Sequence, residues 1–340
     1  MAKYSFKDDY SEGAHPKILE ALNSTNLLQE AGYGGDTYCN KAIKLIRQKI
    51  QNSKANVHFV SGGTQANLIV ISSILKPYES VIAATTGHIA VHEAGAIEAT
   101  GHKINTVETK DGKLKPKDIK SVLDFHTDEH MVKPKVVIIS NSTEIGTIYS
   151  KEELQKLSKF CKQYSLFLYL DGARLGSALT SSQNDLALSE LSKLVDIFYI
   201  GGTKNGALLG EVIIINNDKL KENFRFHLKQ KGALLAKGRI LGIQFLELFK
   251  ENIFFDLGKH ANSMASKLAS GIKKSGYKFL AVPTSNQIFP IFPNKLIQKL
   301  NKKYEFYVWK KIDDKNSVIR LVTSWATKEE FVSQFIEDLK

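Results

Sequence analysis

The chain has 340 residues, 43% of them hydrophobic and 24% charged, which is the make-up of a globular protein long enough for two cores. No apolar run approaches the roughly 18 residues a membrane helix needs, and the acid-bearing opening Asp8-Asp9 with no apolar stretch does not read as a secretory leader. The net charge of +12 comes almost wholly from lysine spread over amphipathic segments, and the five arginines (Arg47, Arg174, Arg225, Arg239, Arg320) are too few for a reader of bases, so no nucleic-acid partner is expected.

In chain order, Val57–Val60 reads as a strand, followed by a helix from Thr64 to Leu75. Ser80–Ala84 is a second strand, then a helical stretch near Ala90–Thr100, then a strand over Lys103–Glu108. The apolar strand Lys135–Ser140, the amphipathic helix Lys151–Tyr164 and the strand Leu166–Leu170 come next. Val195–Ile200 and Glu211–Ile215 complete the set. Continuous apolar strands separated by helices imply an α/β domain with a mostly parallel sheet covered on both faces, assigned to residues 1–217. Beyond it the pattern changes to long helices, Asp218–Lys231 and Ile240–Ser275. Strands over Gln287–Phe292, Tyr304–Val308 and Val318–Val322 and a closing helix Lys328–Leu339 follow. Residues 218–340 are therefore expected to end in a smaller α+β domain. Only Cys39 and Cys161 are present, in no CxxC pattern, so a reducing compartment, the cytoplasm, is expected.

Four segments carry the chemistry. Ser61-Gly62-Gly63-Thr64 lies between a strand and a helix, where Gly63 lets the backbone turn, Thr64 can cap the helix and open N–H groups attract phosphate. By itself it could be no more than a turn and cap. Asp171-Gly172-Ala173-Arg174 ends a strand, where parallel sheets bind ligands. There Asp171 can hold a protonated ring nitrogen and Arg174 an anion, unless the two simply pair and cap the next helix. Lys204, in the glycine-rich loop Gly201–Gly206, is either a solvated lysine or, with its pKa lowered by burial, an imine former. His88 is flat enough to lie on a heteroaromatic ring, with Glu93 beside it as a proton acceptor. His88 with His92, and His126 with His130, have metal-ligand spacing, but no cysteine or carboxylate completes a site and no metal is expected.

In this order the segments resemble the low-specificity L-threonine aldolases of the β-eliminating lyase group, which have the aspartate-aminotransferase fold. Gly63-Thr64-Gln65-Ala66-Asn67 is similar to their phosphate loop, His88 with Glu93 to their stacking-histidine segment, and Asp171-Gly172-Ala173-Arg174 to their Asp-Gly-Ala-Arg. Ile319-Arg320-Leu321-Val322-Thr323 resembles the strand whose arginine holds the substrate carboxylate. Asp8 stands where the family has a substrate-receiving serine, and Ser142-Thr143-Glu144-Ile145 where it has Asn-Thr-His-Asn. Gly232–Lys237 lacks that family segment's arginine.

The resemblance implies pyridoxal 5'-phosphate held as a Schiff base by Lys204, with Gly63, Thr64, His88, Asp171 and Arg174 around it. It also implies a β-hydroxy amino acid substrate received by Asp8, Arg174 and Arg320, and a homodimer or homotetramer. Threonine or allo-threonine would be cleaved to glycine and an aldehyde. Another enzyme of this fold, an aminotransferase or a β-eliminating lyase, would keep Lys204 and Asp171 and break a different bond. A non-enzymatic binding module with a basic surface would need none of these residues.

Overall fold

The computed structural model describes residues 3–340. A short strand β1 (Tyr4–Ser5) precedes the strands of the larger sheet. These are β2 (Asn56–Val60), β3 (Glu79–Ala84), β4 (Ile104–Val107), β5 (Lys133–Ser140), β6 (Phe167–Asp171), β7 (Ile197–Gly201) and β8 (Glu211–Ile215). The C-terminal part adds β9 (Lys278–Phe279), β10 (Gln287–Ile288), β11 (Pro290–Pro293), β12 (Tyr304–Glu305), β13 (Tyr307–Lys311) and β14 (Asn316–Val322).

The larger sheet has seven strands in the order β2-β8-β7-β6-β5-β3-β4. Its neighbours are parallel except at β8, which runs antiparallel to both β2 and β7. Side chains alternate across a strand, and both sets are buried here. Ile82, Val137, Ile139, Leu168, Phe198 and Ile214 enter one core; Val81, Val136, Ile138, Tyr169, Ile197 and Ile213 enter the other. That two-sided burial is why these strands read as unbroken apolar runs. The smaller sheet is antiparallel, in the order β10-β14-β11-β9, with β13 also on β14. It packs its apolar face against the helix Ile253–Lys274 around Leu268, Ile272, Phe292, Ile319 and Leu321.

Several expected elements are shorter than the sequence pattern suggests. The stretch Ala90–Thr100 is a single turn His88–Val91 and a 3-10 turn Glu98–Thr100, parted by left-handed backbone at Ala94 and Gly95. The long helix expected over Ile240–Ser275 is two, Arg239–Phe249 and Ile253–Lys274, broken where Glu251 and Asn252 take positive φ. Asn223, also at positive φ, separates the 3-10 turn Asp218–Leu220 from the helix Phe224–Gln230.

The division expected at residue 217 does not coincide with a break in packing. Phe245, Leu248 and Phe249, from the helix Arg239–Phe249, lie in the core of the larger sheet. At the other end of the chain, β1 pairs in parallel with β12, Phe6 N–H donates to Glu305 O, and Val322 N–H donates to Phe6 O. The N-terminal segment is thus anchored on the smaller sheet.

Candidate active site

The carboxyl ends of β2, β3, β5, β6 and β7 meet the amino end of β8 at one edge of the sheet, and the loops beyond them enclose two adjoining cavities. The inner one, of about 290 Å³, is lined by Gly63, Thr64, Asp171 and Lys204, among others. The outer one, of about 730 Å³, opens past His88 to Arg320, Tyr307 and Trp309. Tyr10, His88, Glu144, Arg174 and Lys204 line both.

The loop expected to receive a phosphate is an open helix start. Gly62, not Thr64, is the cap residue of the helix Gly63–Ile74, and no side chain caps its first N–H groups. The expectation that Thr64 caps it is therefore corrected: Thr64 lies inside the first turn, exposed. Unpartnered N–H groups and the helix dipole make this an anion site. A Cβ at Gly63 would sit 3.0 Å from the Tyr199 hydroxyl, so a side chain there would press on the tyrosine that holds Asp171.

Asp171, at the end of β6, is 4% exposed. Its Oδ1 accepts from Tyr199 Oη at 2.5 Å and from Ala173 N–H at 3.0 Å, and its Oδ2 from Asn67 Nδ2 at 3.2 Å. Asn67 Nδ2 also donates to Glu93 Oε1 at 2.7 Å, while Asn67 Oδ1 accepts from Tyr169 Oη. Glu93 Oε1 lies 2.8 Å from His88 Nδ1. One buried network thus fixes the imidazole and the Asp171 carboxylate together.

Arg174 does not pair with Asp171. Its guanidinium forks onto Asp9, with Nε–Oδ2 2.7 Å and Nη2–Oδ1 2.9 Å, and Asn286 Nδ2 donates to the same carboxylate. Burial pushes the Asp9 carboxyl up, but Arg174 and Lys204 outweigh it and hold Asp9 below the usual carboxylate range. Asp8, expected at the substrate, turns away: its Oδ1 accepts from Tyr10 N–H and Ser11 Oγ, and it lines neither cavity. Neighbouring residues of an extended segment project to opposite sides, and here Asp9 is the one that faces inward.

Arg320, on β14, donates through Nη2 to Lys7 O at 3.1 Å and lies over the rings of Tyr307 and Trp309, 5.0 and 5.6 Å from their centroids. Among the described residues no carboxylate comes within ion-pair distance of it, and its Nε is buried without a partner. Lys204 is similar. No hydrogen bond reaches its amine among the described residues, and burial, then the Arg174 charge, lowers its pKa. A lysine whose amine is more readily neutral is a better nucleophile toward an aldehyde.

Sequence reasoning missed several members of this group. Tyr199 was hidden in an apolar strand, and Asn67, the last residue of the Gly63-Thr64-Gln65-Ala66-Asn67 motif, had been given no role of its own. Glu144 follows β5, and its Oε1 accepts from His88 N–H at 3.0 Å and from Ser140 Oγ at 2.7 Å. Burial pushes its carboxyl up. His92 is exposed, its ring centroid 5.5 Å from that of His88. His126 closes a helix, its Nδ1 2.8 Å from Val122 O.

A partnerless amine, an open helix start, a buried carboxylate at a strand end and a fixed imidazole around one cavity fit pyridoxal 5'-phosphate, a heteroaromatic aldehyde carrying a phosphate. Comparison with known proteins agrees: the β-eliminating lyase family model matches residues 8–293. The chain belongs to the β-eliminating lyase family. Within it, the chain is 32% identical to the low specificity L-threonine aldolase of Pseudomonas sp. (strain NCIMB 10558), over 98% of this chain and 96% of that one. It also matches a solved threonine aldolase of Leishmania major at 51% identity and a TM-score of 0.98, over 99% of this chain and 98% of that one. Thermus thermophilus aspartate aminotransferase, 14% identical with a TM-score of 0.73 over 99% of this chain and 90% of that one, shares the fold.

Proposed function

We propose that this β-eliminating lyase relative is a threonine aldolase, cleaving L-threonine or L-allo-threonine to glycine and acetaldehyde. The observation that carries the reading is Arg320: a guanidinium without a carboxylate partner, facing the same cleft as the partnerless Lys204 amine. An amino acid bound through Lys204's cofactor needs its carboxylate held, and a planar fork does so in two parallel hydrogen bonds.

In this reading Lys204 holds pyridoxal 5'-phosphate covalently, the helix start at Gly63 and Thr64 receives its phosphate, and His88 lies against its ring. Asp171 faces the ring nitrogen. When bound, the cofactor supplies an electron sink for the pair left at Cα. Arg320 would hold the substrate carboxylate and so select Cα–Cβ rather than Cα–H as the bond to break. The β-hydroxyl then faces His88 and Glu144, the two groups on this wall able to take its proton as the aldehyde leaves. Glu93 and Asn67 keep the imidazole in place. Arg174 is committed to Asp9 through two of its nitrogens and acts at the cofactor's edge as a fixed positive charge.

The test is product analysis. Purified enzyme with threonine and allo-threonine should release acetaldehyde and glycine in equal amounts; 2-oxobutanoate as the main product would replace the aldolase by a β-eliminating lyase. No helix among the described residues is long and apolar enough to cross a membrane, and the enzyme is proposed to be cytoplasmic. The enzyme is proposed to assemble as a homodimer or homotetramer, as the family resemblance implies.

A further inference from the structure

Glu211 has no task in the chemistry proposed above, yet it is 5% exposed and lines the inner cavity. It opens β8, which runs between β2 and β7, so Glu211 stands opposite both Val60 and Gly201. Those residues end the two strands whose next residues, Ser61 to Thr64 and Gly202 to Lys204, form the phosphate cup. Glu211 Oε2 accepts from Gly202 N–H at 2.9 Å, and Thr203 lines the same cavity. A carboxyl is therefore built into the wall of a cup whose open helix start suits an anion. An ionised carboxylate and a phosphate dianion in one dry cup repel each other strongly. A neutral carboxylic acid instead has an O–H to donate.

We propose that Glu211 is a positioning residue that receives the cofactor's phosphate as a neutral acid, its O–H donating to a phosphate oxygen. This rests on the reading of the site as a pyridoxal 5'-phosphate site. Cofactor capture is then coupled to a proton on Glu211 wherever the free enzyme would have lost it. Burial pushes this carboxyl up to about 8, with the Lys204 charge opposing the rise and the Asp171 charge adding to it. The other titratable groups facing it are Tyr169 of β6 and Tyr199 of β7, while its β2 neighbour Val60 brings none. The phosphate's own negative charge raises the carboxyl further, so the complex keeps the proton through the range in which the free enzyme releases it.

The experiment uses the full-length apoenzyme, wild type and Glu211→Gln, with pyridoxamine 5'-phosphate and with pyridoxamine as probes. The side-chain amide of the variant does not ionise and can donate at every pH. From pH 7 to pH 9 wild-type affinity for pyridoxamine 5'-phosphate should fall about tenfold, one decade per unit above the free carboxyl's pKa, beyond any change in the variant. Pyridoxamine, which lacks the phosphate, should show no such difference. Calorimetry at pH 8.5 in two buffers of different ionisation enthalpy should register uptake of most of a proton per phosphate probe bound by the wild type. Matching pH slopes in the two proteins would overturn the role of Glu211 while leaving the cofactor reading intact. Should the variant not fold, the wild type decides alone: no proton uptake refutes the proposal. Failure of the wild type to bind pyridoxamine 5'-phosphate at any pH would remove the cofactor reading and this inference with it.

Discussion

Arg174 and Arg320 occupy one site in opposite states. Arg174 is paired with Asp9 through a buried fork, whereas Arg320 is held by two aromatic faces and a single carbonyl, with no carboxylate partner among the described residues. A charge-assisted hydrogen bond contributes roughly 1.5–3 kcal/mol. Arg320→Lys should therefore lower kcat/KM for threonine by about ten- to a hundredfold, and should also blur which bond breaks, because a lysine cannot set the carboxylate plane. Steady-state kinetics with acetaldehyde and 2-oxobutanoate counted separately checks both; unchanged kcat/KM would return Arg320 to a surface charge. The residues legible in the sequence, Lys204, Asp171, His88 and Gly63, sit in short motifs whose chemistry is local. The roles of Asp9, Asn67 and Tyr199 were not legible because their partners are distant in the chain: Arg174 for Asp9, Asp171 for the other two. Asp8 and Asp9 differ only in which way the chain turns, and sequence says nothing about that.

At the scale of elements, apolar runs identified the five inner strands of the larger sheet, because burial on both faces leaves a mark in nearly every residue, while the half-buried edge strands β2 and β4 left shorter ones. Breaks in helices left weaker marks. Glu251 and Asn252 are ordinary helix-compatible residues, and the kink they form follows from the packing on either side: Phe249 stacks on Phe254, with ring centroids 4.9 Å apart, across the turn. The helix before that kink approaches the helix Thr37–Lys49 unusually closely at Gly242, where a Cβ would lie 2.5 Å from Cys39 Sγ and 2.6 Å from Cys39 N. Backbone cannot rotate out of the way. Gly242→Ala should force the two helices apart at a cost of about 1–3 kcal/mol, read as a lowered Tm, and Cys39→Ala should not rescue it because the backbone contact remains. A variant as stable as wild type would mean that the helices have slack at this crossing.

On the scale of the whole molecule, Asp9 joins parts of the chain that fold around different cores. It lies just past β1, in the segment that Phe6 ties to β14 of the smaller sheet, and its carboxylate receives Arg174 from the loop after β6 and Asn286 from the loop before β10. The cleft mouth is built from both sides of this junction, with Lys204 on the larger sheet's edge and Arg320 on β14. Removing one partner of a buried ion pair strands the other charge, which typically costs about 3–5 kcal/mol. Asp9→Asn keeps the shape and leaves Arg174 uncompensated. It should lower the Tm markedly and weaken substrate use by loosening the relation of Arg320 to Lys204. The pH dependence has a definite sign. The Asp9 carboxyl is held below its ordinary value in the folded protein, so the unfolded chain binds more protons as acid is added. Its stabilisation is fully present above the ordinary carboxylate range, around pH 4, and is lost as pH falls through the lower folded value. Wild type should therefore lose Tm more steeply than Asp9→Asn on acidification below about pH 4, and the two curves should converge there. Parallel curves across that range would mean that Asp9 is not the carboxylate that holds the two parts of the site together.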